Sequence, residues 1–149
     1  MKPSGPWSDT LEICILGDMM MHSAQLEAAY RDGKEYIFDT YFQHLEDRIR
    51  NADIAIANME YTLAGPPHSG YPAFSAPDSY AHYFSELGFD VFLAANNHIF
   101  DKGSKGAERT IKEFQKLGID IAGIAADQAM YDDVFPLTIE CKGVSIAIL

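Results

Sequence analysis

Positive charge is the scarcest commodity in this chain: 11 Lys and Arg stand against 22 Asp and Glu, giving a formal net charge of −11. That balance excludes nucleic acid as a natural partner, because phosphate-backbone binding draws on clustered Lys and Arg. A polyanionic substrate would also be repelled unless bound cations reverse the local field. Cysteine is nearly absent. Cys14 lies in an apolar stretch and Cys141 near the chain end, with no CxxC or Cys/His spacing. Buried free thiols therefore fit better than zinc ligands, with a disulfide between the two left open. No stretch approaches the ~20 apolar residues of a membrane span, and residues 1–10 lack the apolar core of a signal peptide. Internal repeats and low-complexity tracts are missing too.

What remains is the composition of an ordinary folded domain. The 149 residues are 48% hydrophobic and 22% charged, a length at which roughly 70% of the unfolded surface is buried on folding. Residues 1–10 read as an extended lead-in and residues 11–149 as one domain. Short apolar runs at Leu11 to Leu16, Ile54 to Ala57, Phe89 to Ala95 and Ile119 to Ile124 predict strands, the first covered on both faces. Between them the 3.6-residue spacing predicts helices from Ser23 toward Tyr30, over 40–51, from Asp78 to Leu87 and from Lys105 to Leu117. Ser23 and Asp78 are taken as caps, with Gly88 and Gly118 as closing glycines. Residues 62–77 carry four Pro and two Gly and predict a long loop, of a kind commonly functional or mobile. Phe135 to Glu140 and Val144 to Leu149 flank a hairpin turn. The fold class is therefore α/β: a largely parallel sheet with flanking helices, right-handed crossovers and a C-terminal β-hairpin as an antiparallel edge. An open apolar strand invites pairing, so Val144 to Leu149 is expected to be covered within the fold or by self-association with a second copy.

Three of the strands end in chemistry. After Leu16 come Gly17-Asp18 and then His22; after Ala57 come Asn58-Met59-Glu60; after Ala95 come Asn96-Asn97-His98, with Asp101 three further on. Ligands of open α/β sheets bind outside the carboxyl ends of the strands, and this set of oxygens and imidazoles suits a divalent cation. Gly17 is read as a sharp turn with Asp18 at its tip. Asp18 could hold a cation or cap backbone amides; Glu60 could bridge two cations or be a solvated loop glutamate. Asn97 offers a carbonyl oxygen, and His98 a metal ligand or a proton donor. Asp101 either orients His98 or caps the next helix, and the cap is favoured. Phe100 is assigned to the core, and His44, His68 and His82 to surface or packing roles.

Taken jointly, Gly-Asp, Asn-x-Glu and Asn-Asn-His-x-x-Asp-x-Gly after successive strands resemble the CapA family of bacterial capsule or poly-γ-glutamate synthesis proteins. Glu86 to Val91, Leu117-Gly118-Ile119 and Gly123 carry the likeness further, across nearly the whole chain. That family is similar to the calcineurin-like metallophosphatases, which hold two divalent metals at strand ends of a four-layer sandwich. The resemblance implies Asp18 at the first metal, Glu60 bridging, Asn97 at the second metal and His98 against phosphate or leaving group, with Asn58, Asn96 and Asp101 supporting them. The ion would be Mn, Zn, Fe or Mg, the substrate an anionic polymer or phosphoester, and the location the bacterial envelope or beyond. A non-catalytic polymer- or partner-binding module with a vestigial site, and a phosphoesterase unrelated to capsule, are the rival readings. The superfamily's Asp-x-His is not reproduced, since the histidine stands four residues after Asp18; His22 is carried as an additional candidate ligand. The superfamily's later histidines have no counterpart before Leu149. The chain is accordingly expected to represent an N-terminal portion and to bind metal weakly by itself.

Overall fold

A computed structural model describes residues 10–149, so the expected lead-in at residues 1–10, Thr10 apart, lies outside the described residues. The chain runs β1 (Ile13–Met19), α1 (Ser23–Ala29), β2 (Tyr30–Arg31), β3 (Glu35–Tyr36), α2 (Glu46–Asn51), β4 (Ile54–Met59), α3 (Asp78–Leu87), β5 (Val91–Leu93), α4 (Gly103–Leu117), β6 (Asp120–Ala122), α5 (Gln128–Val134), β7 (Leu137–Cys141) and β8 (Val144–Ile148). The central sheet is parallel with the order β1-β4-β5-β6, in register Ile13 to Ile54, Ile56 to Val91 and Val91 to Asp120.

Strand order follows chain order, and crossovers of one hand then fall on one face of the sheet. The packing agrees. Ala55, Ala57 and Met59 of β4 face the main core with Leu26 of α1, Ile49 of α2, Phe84 of α3 and Phe114 of α4. Ile54 and Ile56 point the other way, where Leu137, Ile139, Ile146 and Ile148 of the β7-β8 hairpin cover them. The hairpin is thus a separate two-stranded sheet laid over the second face, where the sequence suggested an antiparallel edge. Its cover stops short of β1, whose Ile13 and Ile15 are 41% and 69% exposed, against the expectation of a strand buried on both sides. Cys14 packs into the helical core and Cys141, in β7 of the hairpin, into the cluster on the opposite face of the sheet, and both are free thiols.

Local chemistry explains the other departures. α1 gives way to the β2-β3 hairpin around Asp32 and Gly33, both at positive φ, and Tyr30 turns outward against Tyr36. Helix begins at Glu46 instead of near residue 40. Before it, the Phe42 N–H donates to the Tyr83 hydroxyl at 3.1 Å and the Phe42 ring sits edge-on to Phe84, which holds this approach as turns. α5 was not foreseen; its N-cap Asp127 accepts from Met130 N–H at 2.8 Å. α3 and α4 close as expected on left-handed Gly88 (φ 93°) and Gly118 (φ 67°).

The loop over residues 62–77 is strapped down. Ala76 N–H donates to Thr62 carbonyl at 2.9 Å, the Thr62 hydroxyl to Phe74 carbonyl at 2.7 Å, and Leu63 N–H to the buried Thr110 hydroxyl at 2.8 Å. Asp78, expected as a cap, is instead the first residue of α3 and clasps Arg109 of α4 through two bonds of 2.8 and 2.7 Å. At Gly70 the loop presses on α1 so closely that an added Cβ would lie 2.3 Å from Ser23 N.

Thr110 accepts from Leu63 and donates to Gly106 carbonyl at 2.8 Å. Thr110→Val keeps the shape but leaves a buried N–H unpaired, and should cost about 1–3 kcal/mol in urea unfolding. Ile15→Thr, on the bare face of β1, should stay within about 0.5 kcal/mol of the parent.

Candidate functional site

The strand ends are assembled by backbone register. β1 does not turn at Gly17: it continues to Met19, with an irregularity between Leu16 and Asp18 that leaves Gly17 unpaired and sets Asp18 beside Asn58 of β4. A bulge of this kind re-aims the next side chain, so Asp18 sits in the strand and not at a turn tip. β4 likewise runs on through Asn58 and Met59, and Glu60 N–H donates to Met19 carbonyl at 3.0 Å. β5 stops at Leu93, and the chain through Asn96 and His98 folds back over the ends of its neighbours.

A connected set of polar side chains results. The Asn58 amide nitrogen donates to Asp18 Oδ1 at 2.7 Å and to Glu60 Oε2 at 3.1 Å, so two carboxylates converge on one nitrogen. Asn58 is held in that orientation because its own oxygen accepts from Asn96 Nδ2 at 3.2 Å, while the same Asn96 nitrogen bonds Met59 carbonyl at 2.7 Å. Asn96 Oδ1 in turn accepts from the His98 N–H at 3.0 Å. The His98 ring presents Nε2 at 3.9 Å from Glu60 Oε1 and Nδ1 at 2.8 Å from Asp101 Oδ2. Since a carboxylate accepts, Nδ1 carries the proton and Nε2 faces the site.

Glu60 is only 8% exposed, which removes the solvated-loop reading. Burial pushes its carboxyl above the usual range; the neighbouring Asp18 charge and hydrogen bond push the same way, and His98 partly opposes them. Asp101 orients His98 and does not cap α4. The N-cap of that helix is Lys102, which makes no side-chain capping bond. Asn97 stands apart from this set: it is exposed and lines, with Ala95, Asn96, Phe100 and Gly123, an open crevice of about 570 Å³ at the ends of β5 and β6. Phe100, expected in the core, is 62% exposed on that rim. His22 opens α1 instead, its N–H donating to Gln25 Oε1 at 2.8 Å.

One participant was not singled out from the sequence. Phe74, 1% exposed in the Pro-rich loop, meets the His98 ring edge-on at 4.7 Å and the His22 ring at 5.0 Å. Its N–H also donates to Asp101 Oδ2 at 2.7 Å. An aromatic residue inside a Pro/Gly-rich loop is the only hint that composition offered. Among the described residues no three His, Cys, Asp or Glu side chains form a ready set of metal ligands; the convergent anionic donors are Asp18 and Glu60.

Comparison with known proteins identifies the family. The profile of the family described as Bacterial capsule synthesis protein PGA_cap matches residues 12–149. The capsule biosynthesis protein CapA of Bacillus anthracis is 30% identical over 122 residues, which are 78% of this chain and 29% of that relative. The chain therefore spans less than a third of the length of the curated relative it matches.

The raised Glu60 pKa has a stability consequence. Ionisation is harder in the folded chain than in the unfolded one, so the contribution is fully present below the unfolded carboxyl pKa and is lost as pH rises through the folded value. In metal-free protein, Glu60→Gln should raise Tm at pH 7, and the gain should vanish as pH falls below the ordinary glutamate range. Thermal melts from about pH 4 to about pH 7, a window that spans the ordinary glutamate range, check it; an unchanged difference across the window would contradict the buried-carboxylate argument.

Proposed function

The chain belongs to the PGA_cap family of bacterial capsule synthesis proteins, and from that premise we propose that its strand-end site binds a divalent cation and serves hydrolytic chemistry on an anionic polymer or phosphoester in capsule synthesis. The observation that carries the reading is the convergence of Asp18 and Glu60 on the Asn58 amide nitrogen. Two carboxylates this close, one of them buried, repel each other unless a proton or a positive charge lies between them. The partial positive charge of the amide N–H groups fills that role in the structure. A divalent cation would fill it more strongly, and hard oxygen donors are the type such ions select.

Asp18 and Glu60 are the residues that would hold the ion, with Asn58 moving aside or turning its oxygen inward and water supplying the remaining donors. When bound, a divalent cation polarises a phosphoryl or carbonyl oxygen and eases deprotonation of water. His98 would handle the proton. Its Nδ1 is committed to Asp101, so only Nε2 can exchange a proton with a reacting oxygen, and Phe74 holds the ring plane from the side. Asn96 joins the two halves, since one side chain bonds both Asn58 and the His98 backbone. Asn97 and Phe100, on the rim of the adjoining crevice, would meet the substrate.

Calorimetric titration with Mn²⁺ and Zn²⁺, alongside turnover of a simple phosphodiester, tests the reading. Asp18→Asn should weaken metal binding by about tenfold or more, the loss of roughly one ionic ligand. His98→Ala should leave metal binding in place and lower turnover by about 10²–10⁴-fold, the usual share of a general acid or base. Metal binding indifferent to Asp18 would overturn the site. Metal binding intact without any hydrolysis would replace catalysis by a polymer-binding role.

A further inference from the structure

We propose a second site on this molecule: a cationic groove between the 64–67 loop and the first turns of α4 that binds a multiply anionic ligand, with Lys102 and Lys105 as its charge donors. The site lies outside the strand-end cluster and requires no metal. The groove has a volume of about 420 Å³; Ala64, Gly65, Pro66 and Pro67 form one wall, and Lys102, Lys105, Gly106 and Arg109 the other.

The argument starts from spacing. Lys102, Lys105, Gly106 and Arg109 recur at intervals of three and four along a helix entry, so they form one stripe. In a chain with twice as many acidic as basic residues, this stripe presents three cations and no carboxylate to the groove. The opposite wall is uncharged. Two carboxylates beside Arg109 are already engaged: Asp78 clasps Arg109 with two bonds, and Glu113 lies 3.5 Å from Arg109 and 2.8 Å from Lys116. Arg109 also donates to Leu63 carbonyl. The guanidinium is therefore spent on fixing the end of the groove, and it does not supply net charge. Lys102 and Lys105 are different. None of the ion pairs among the described residues engages either ammonium.

Two further features bias the groove toward anions. α4 is 15 residues long, no acidic residue occupies its first turn, and no side chain caps it, so the positive end of its dipole adds to the lysines. Gly106 forms the floor, where an added Cβ would lie 2.6 Å from Lys102 Cβ and 3.4 Å from Ala64 Cβ. Only a glycine lets the loop and the lysine stem lie this close. The two lysines are one helical turn apart, about 5–6 Å at Cβ, a span that one monovalent anion does not bridge. The chemistry fits a run of negative groups, either the carboxylates of an acidic polymer or the linked phosphates of a polyphosphate.

The experiment titrates a glutamate oligomer and, separately, tripolyphosphate into the full chain in EDTA. Binding of at least one probe is expected, weakening as NaCl is raised, because partly exposed pairs are screened; which probe binds more tightly identifies the source of the anion. The double variant Lys102→Glu/Lys105→Glu should lose about tenfold or more in affinity, whereas Lys34→Glu/Lys112→Glu, exposed lysines with the same change in charge, should stay within about threefold. Both pairs should melt like the parent. Equal losses in the two pairs would overturn the groove, since net charge alone would then explain the binding. So would failure of both probes to bind at millimolar concentration, or binding that appears only when metal is restored. Asp18→Asn, which removes a negative charge, should not weaken anion binding, so the strand-end reading can fail while the groove stands.

Discussion

The Asp101 carboxylate accepts two hydrogen bonds from parts of the chain that nothing else ties so directly, Phe74 N–H at 2.7 Å and His98 Nδ1 at 2.8 Å. One bond fixes the imidazole tautomer; the other pins the far arm of the Pro-rich loop. Phe74 then lies edge-on to His98 and to His22, so the ring that could move a proton is held at one edge by charge and on its side by an aromatic. The loop is in turn anchored by Thr110 and by the Arg109 to Asp78 clasp. A segment whose Pro and Gly content prevents regular structure is thereby ordered from outside. Its polar contacts come from α4, α3 and the β5 to α4 connection, not from itself alone.

A sheet wound in one direction places its helices on one face, and the consequences reach the site. The helical face buries the aromatic core of Phe84, Phe92 and Phe114, which fixes the strands as a rigid platform. The opposite face has only the β7-β8 hairpin, which leaves β1 with exposed isoleucines. Asp18 stands near the end of this least-covered strand and Glu60 directly after β4, in which every residue but Asn58 is buried. The same pair of carboxylates therefore meets solvent from one side and core from the other, and burial raises the pKa of Glu60.

The sequence was most legible where a property is local. Apolar runs located the four parallel strands but not their C-terminal ends, which fall at Met19, Met59, Leu93 and Ala122, and two glycines with nothing but a left-handed role closed α3 and α4 where expected. Errors came from three sources. A bulge is a matter of pairing, so Gly17 looked like a turn until Asn58 lay beside Asp18. In an Asn-Asn pair the direction of each side chain is set by the backbone of the neighbouring strand, and it was Asn96, not Asn97, that turned toward Asn58. Asp101 satisfies the spacing for an N-cap as well as for an imidazole partner, and the tie was broken by Phe74, 27 residues away. The family resemblance carried the fold because it rests on the strand-end pattern as a whole. It could not supply side-chain direction residue by residue.

The His98 side of the strand-end cluster and the cationic groove are joined through the chain, since Asp101 directly precedes Lys102 and Ser75, hydrogen-bonded to Gly65 carbonyl at 3.2 Å, follows Phe74. One loop thus has an arm at each place. Charges of opposite sign bound at the two places would attract, and the attraction would be strongest through the poorly screened interior between them. A cation between Asp18 and Glu60 would lower the repulsion that an acidic chain presents to a polyanion, and a polyanion in the groove would stabilise the cation by the same free energy, because such coupling is reciprocal. On these two proposals an acidic chain would receive an acidic ligand with the cost of its net charge met locally, by two lysines and, where one is bound, by an ion.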